Sequence, residues 1–226
     1  METGAGKLII LFLRWFFQLL YHSFAWTYDL VAAAVSVGLW FDWIETVLPY
    51  LDSSPVLELG FGTGHLQEMI LHPGRPVFGL DESPQMASIA RRLLSRRGLD
   101  FRLVRALAQH LPYPSGKFKR VVATFPSEFI FTSETLSEVQ RVLSAEGKFI
   151  ILPYAWITGN SLPHRLARAL FQVTHEAPAR ATFSTGIPSE FEKRLVAAGF
   201  EVSTEIIPTR HSEVMIIVSA KPAHTL

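Results

Sequence analysis

One loop in this sequence is built for close approach of a ligand. Gly60-Phe61-Gly62-Thr63-Gly64 follows the apolar run Val56-Leu57-Glu58-Leu59 and precedes a helical pattern, so a G-x-G-x-G spacing falls at a strand-to-helix turn. Glycines at such a place let the backbone bend sharply and come up to a ligand with no Cβ in the way. A dinucleotide fingerprint would carry its third glycine one position later, where His65 stands. Asp81 ends the next apolar run, about 20 residues beyond the loop, where a carboxylate can accept hydrogen bonds from both hydroxyls of a ribose. Alone, the loop is a tight turn and Asp81 a cap beside the next helix. Together they describe an adenosine-type site.

Groups able to move a proton are scattered. Thr124-Phe125-Pro126 closes a later apolar run, and Glu128 follows it at once, as a cap or a loop charge. Glu128, Tyr154, His164, His175 and His211 are each able to take a proton from an acceptor. Each also reads as an ordinary loop or core residue, and none is singled out as catalytic. The chain has no cysteine, which rules out a disulfide framework, a thiolate metal site and a cysteine nucleophile and permits a cytoplasmic setting. No metal is expected.

The elements that must hold these residues alternate. Strands are predicted at Val56–Gly60, Pro76–Asp81, Asp100–Arg105, Phe118–Phe125 and Gly147–Leu152, and helices at Thr63–Leu71, Pro84–Arg97 and Ser133–Leu143. Pro84 suits a first helical turn and Gly98 a stop. Such repeats give parallel strands joined by right-handed crossovers, with ligands at the strands' carboxyl ends. A helix at Pro188–Ala198 and two strands, Phe200–Ile206 and Val214–Ser219, follow; their short connection predicts an antiparallel pair. Between Tyr154 and Gly186 lies a less regular stretch with a short amphipathic helix at Leu162–Val173, placed to close over the site.

Length and composition bound the rest. The 226 residues suit one α/β domain with an extension. The chain is 49% hydrophobic and only 18% charged, with a mean hydropathy of +0.25, and much of the excess lies in Lys7–Tyr50. Lys and Arg number 21 against 20 Asp and Glu, which speaks against a nucleic-acid partner. Arg14 breaks any signal-peptide core, and with Gln18 and His22 it interrupts a spanning helix. At about 100° per residue, Lys7, Arg14, Gln18, His22 and Asp29 fall on one narrow stripe of an otherwise apolar helix. Trp15, Tyr21 and Trp26 favour a membrane boundary, so peripheral contact with the inner face of a membrane is expected, beside the alternatives of a lid or a dimer face.

From about Tyr28 to Ser219 the chain resembles the class I S-adenosylmethionine-dependent methyltransferases. The resemblance implies an α/β, Rossmann-like three-layer sandwich with a mostly parallel seven-stranded sheet and an antiparallel last strand. Residues 1–50 would be the apolar helical extension and 51–226 the methyltransferase domain. By similarity, Glu58 positions the methionine ammonium, the backbone of Gly60, Phe61, Gly62 and Gly64 lines the methionine and ribose, and Asp81 holds the ribose. Glu82 and Met86 would lie near the adenine. Leu107-Ala108-Gln109-His110-Leu111-Pro112-Tyr113 resembles the D-A-x-x-L-P-F segment; Leu107 takes the acidic place, leaving adenine to the Ala108 backbone and the Gln109 side chain. Thr124 stands where this family faces the transferring methyl.

Tyr28-Asp29-Leu30-Val31-Ala32-Ala33-Ala34-Val35-Ser36-Val37-Gly38-Leu39-Trp40-Phe41-Asp42-Trp43 is similar to the start of the ubiquinone/menaquinone biosynthesis C-methyltransferases. Tyr28, Asp29, Val35, Ser36 and Trp43 agree with that pattern, while Val31, Ala32 and Trp40 replace its Met, Asn and His. Arg141-Val142-Leu143 and Gly147 echo a second signature, from which Leu152-Pro153-Tyr154 departs. Tyr28 would reach over the cofactor. The implied reaction is in-line methyl transfer to a hydrophobic acceptor, a quinone precursor or a lipid head group. Methylation of a soluble small molecule, an NAD-dependent oxidoreductase and a non-catalytic cofactor-binding protein are the other readings.

Overall fold

The computed structural model describes residues 36, 38–53, 55–72, 74–174 and 190–222. Tyr28, His175 and the polar stripe from Lys7 to Asp29 lie outside them. Strand β1 (Val56–Leu59) is buried at every residue, which is why it reads as an unbroken apolar run. It pairs in parallel with β2 (Val77–Asp81) on one side and β4 (Phe118–Thr124) on the other. Beyond them lie β3 (Arg102–Arg105), parallel to β2, and β5 (Leu143–Leu152), parallel to β4. Strand order therefore reverses between β1 and β4, and the crevice at their carboxyl ends is where a ligand fits such a sheet.

The sheet is closed by β8 (Ser212–Ala220), antiparallel to β5 and to β7 (Glu201–Pro208), so the predicted antiparallel pair is present. An eighth strand, β6 (Ala155–Ile157), lies beside β8 on the edge that β5 also uses. β5 and β6 form one line interrupted at Pro153-Tyr154, bridged where Met215 N–H donates to Tyr154 O at 3.0 Å. Three residues are too short for an alternating pattern, so the sequence left them in the irregular stretch. β5 also begins earlier than Gly147: Leu143 pairs with Phe118, and the register then shifts before Lys148 meets Arg120. Glu146, at φ +59, makes that bulge.

Alternating residues feed two cores. Leu57, Leu59, Val121, Ala123 and Ile151 face one, with α4 (Ser133–Val142) and α6 (Glu190–Ala197) packed on it. Val56, Val122, Ile150 and Leu152 face the other, covered by α1 (Trp40–Glu45), α2 (His65–Ile70), α3 (Pro84–Arg96) and α5 (Leu162–Thr174). Part of the predicted extension thus belongs to the core: Leu39, Trp43, Ile44 and Val47 are all buried. Trp43 is wholly enclosed, its Nε1–H donating to Ser212 Oγ at 2.6 Å. Caps follow from the sequence, since Ser83 Oγ accepts from Met86 N–H with Pro84 opening α3, and Gly98 ends it at φ +68.

Candidate active site

The glycine loop is held against the end of β2. Gly60 N–H donates to Leu80 O at 2.7 Å, and Gly62 N–H to Asp81 Oδ2 at 2.9 Å. Gly60, Gly62 and Gly64 have φ of +74°, +53° and +91°. Gly62 and Gly64 serve different ends. A Cβ on Gly62 would meet no atom within 4 Å, so this backbone borders open space. A Cβ on Gly64 would come within 2.9 Å of Ala90 Cβ, so this glycine lets α2 close on α3. The Phe61 ring is buried against Ala87 and Ala90, and only its backbone is left for a ligand.

Asp81 is the junction of the site. Its Oδ1 accepts from Ser83 N–H at 2.8 Å while Oδ2 takes Gly62. Each oxygen keeps a lone pair for a further donor, as a ribose diol requires. Burial raises its pKa, opposed by these two amides. Glu58 lies deeper, 2% exposed, and Gln67 Nε2 donates to its Oε2 at 2.7 Å. Burial lifts the Glu58 carboxyl to about 8; the Gln67 bond opposes the rise and the Asp81 charge adds to it.

A cavity opens beside Asp81, lined by Gly60, Leu80, Glu82, Ala106, Leu107, Ala108, Gln109, Ser127 and Phe129. It gathers Gly60, Asp81, Glu82, Ala108 and Gln109 from the sequence expectation. Met86 is not on its wall: the side chain is buried at the first turn of α3. Leu107 is 48% exposed there, an apolar surface where the resembling segment carries an acid. The open space beside Gly62, the free lone pairs of Asp81 and this wall suit an adenosyl group. Ser127 and Phe129 were not foreseen, because a short 3-10 turn, Glu128–Phe131, brings them there and such a turn has no period to read.

The cavity wall is fixed from behind by α4. Arg141 donates to Tyr113 O at 2.6 Å and Leu111 O at 2.9 Å, and its Nε and Nη2 pair with Glu138. Glu138 Oε2 in turn accepts Leu111 N–H at 2.7 Å. The Arg141 guanidinium holds the Glu138 carboxyl below the usual carboxylate range. A Glu and an Arg three apart on a helix were the available signal.

The other flank of the crevice is aromatic. Thr124 is half-buried at the end of β4, and Phe125 beyond it has φ +46, a conformation that an L side chain rarely holds without cause. Its ring stacks on Trp40 at 4.5 Å, and Phe41 meets the His65 ring edge-on at 4.9 Å. α1 therefore bridges the glycine-loop helix and the end of β4. Of the proton-accepting candidates, Glu128 is exposed, Tyr154 stacks on Phe191, and His164 bonds Ser161 Oγ through Nδ1 and lies 4.8 Å from the His211 ring. Of the described candidates, His164 and His211 are brought together, while Glu128 lies on the 3-10 turn and Tyr154 between β5 and β6.

This arrangement has relatives. Residues 57–151 match the methyltransferase-domain family. The matched stretch runs from β1 through β5 and contains the glycine loop, Asp81 and the cavity wall. Over 133 residues the chain is 35% identical to the demethylmenaquinone methyltransferase of Thermus thermophilus, covering 56% of this chain and 60% of that one. Over 148 residues it is 29% identical to the ubiquinone/menaquinone biosynthesis C-methyltransferase of Bartonella quintana, covering 60% and 56%. The chain thus spans less than two thirds of the length of these curated relatives. A putative S-adenosylmethionine-dependent methyltransferase from Methanococcus maripaludis shares the fold at a TM-score of 0.58 and 19% identity, over 89% of this chain and 94% of that one.

Proposed function

We propose that this chain is an S-adenosylmethionine-dependent methyltransferase whose acceptor is hydrophobic, a quinone precursor or a lipid head group. The observation that carries the reading is Asp81, tied to Gly62 at the mouth of a cavity inside a methyltransferase domain. When bound, the cofactor supplies an electrophilic methyl on a sulfonium. Asp81 would hold the ribose, Ala108 and Gln109 the adenine, the glycine-loop backbone the methionine and Glu58 its ammonium. Thr124 would face the reacting end, and Tyr28 would reach over it. Much of the rate comes from holding the acceptor in line and excluding water, and where the methylated atom carries a proton, as a phenol or ring carbon does, that proton passes to solvent or to a nearby base. The half-buried Trp40 and Phe125 offer a flat apolar wall beside that point, which supports an acceptor of the kind named for the Thermus and Bartonella relatives. Transfer of label from methyl-labelled cofactor to lipid or quinone extracts tests this. Binding of NAD with none of S-adenosylmethionine overturns it.

Peripheral membrane contact through the N-terminal segment belongs to the same reading. No helix among the described residues is long and apolar enough to cross a membrane. The packing of α1 on His65 and Phe125 favours a second reading, in which the segment is a lid over a soluble acceptor. Deleting residues 1–26 separates the two. Loss of liposome binding with cofactor affinity kept supports the membrane, and loss of cofactor affinity supports the lid.

A further inference from the structure

We propose that Gln67 is the positioning residue for Glu58: its buried amide fixes the carboxyl group and governs the proton exchanged when the cofactor's ammonium docks there. The inference rests on the cofactor reading above. Gln67 is fully buried on a helix face otherwise filled by Leu66 and Ile70. A buried amide among aliphatic side chains is costly unless bonded. Its Nε2 donates to Glu58 Oε2 at 2.7 Å and lies 3.3 Å from Phe78 O. Turning the amide over would set its oxygen against the Phe78 carbonyl, and against Glu58 as well once that carboxyl is ionised, so the carboxylate form favours this orientation. Gly79 makes the room, because a Cβ there would lie 3.2 Å from Gln67 Cδ and 3.0 Å from the Phe61 ring.

Among the described residues, Asp81 is the titratable group whose charge acts on this carboxyl. On the adjoining strands its partners are Gly79 and Val122. On α2, His65 is turned to Phe41 and Glu68, and Glu68 pairs with Arg97. From α1, buried Trp43 and Ile44 cover this face of the sheet. Asp81 acts from the end of β2 by its charge. Burial raises the Glu58 pKa to about 8, so the carboxyl holds its proton near neutral pH. An arriving ammonium needs the carboxylate, so Glu58 loses its proton to solvent as the ion pair forms. The Gln67 donor stabilises the carboxylate and makes that loss easier.

The test uses S-adenosylhomocysteine, which carries the same amino-acid end, in calorimetric titrations of the full chain from pH 6 to 9 in phosphate and in Tris. The wild type should release a proton at pH 7, seen as a buffer-dependent enthalpy, and affinity should rise with pH toward 8. In Gln67→Met the rising limb should move up by about one pH unit, weakening binding at pH 7 about tenfold, with the gap closing at higher pH. Glu58→Gln should abolish the limb. A Gln67→Met protein that only melts earlier, with the limb unmoved, overturns the proposal. So does a wild type that binds with equal enthalpy in both buffers, a result independent of whether the variant folds. No binding at any pH overturns the cofactor reading instead.

Discussion

At the scale of single residues, two carboxyl groups with opposite obligations stand within one site. Asp81 already receives two backbone amides and must stay ionised to take more donors. Asp81→Asn turns one of those acceptors into a donor facing an amide. Cofactor affinity should fall at least about tenfold, read by calorimetry, with a small change in melting temperature. Glu58 is the reverse case. Its folded pKa, about 8, lies above its ordinary value of 4.5. The folded state therefore binds the extra proton, and stability declines as the pH rises from about 4.5 toward 8. Glu58→Gln should remove that decline. The variant should melt several degrees above the wild type at pH 8, and the two should converge near pH 4. Equal melting temperatures at pH 8 would show that Glu58 carries no such strain.

At the scale of elements, the site depends on helices meeting at fixed distances. α2 reaches α3 through Gly64, whose φ of +91 and 2.9 Å clearance to Ala90 leave no space for a methyl. Gly64→Ala should cost roughly 2–3 kcal/mol in chemical denaturation. α4 acts at longer range through the Arg141–Glu138 fork on the Leu111–Tyr113 backbone. Arg141→Ala frees that loop and should weaken cofactor binding several-fold, and the fork's contribution should fade as acid protonates Glu138, whose pKa is depressed. That the glycine loop and Asp81 come together was legible, because glycines at a strand-to-helix turn and an acid ending the next strand have fixed spacing. The supporting contacts were not. Gln67, Phe129 and the clamp are set by which helix faces which strand, and spacing along one chain does not encode that.

At the scale of the whole molecule, the alternation of apolar runs with helical patterns was enough to predict parallel β1 to β5, since each strand is bounded by its own Gly or Pro punctuation. The short β6 and the early start of β5 escaped because both owe their conformation to β8 and β4, distant in sequence. β8 is the strand on which the rest of the sheet converges, bonded along both edges, to β5 and β6 on one and to β7 on the other. Ile217→Pro, in the middle of it, should prevent folding altogether, seen as loss of a cooperative melt, because proline removes a ladder donor from an interior strand. Among the described residues, β8 is also the last of the eight strands to be synthesised. Until it emerges from the ribosome, β7 has no neighbour and the outer edge of β5 stays bare. The β1–β5 half of the sheet can take shape early, but it carries an open strand edge that invites pairing with another chain. Growth conditions that slow translation past residue 211 should therefore lower the soluble yield of a protein whose finished form is unaffected.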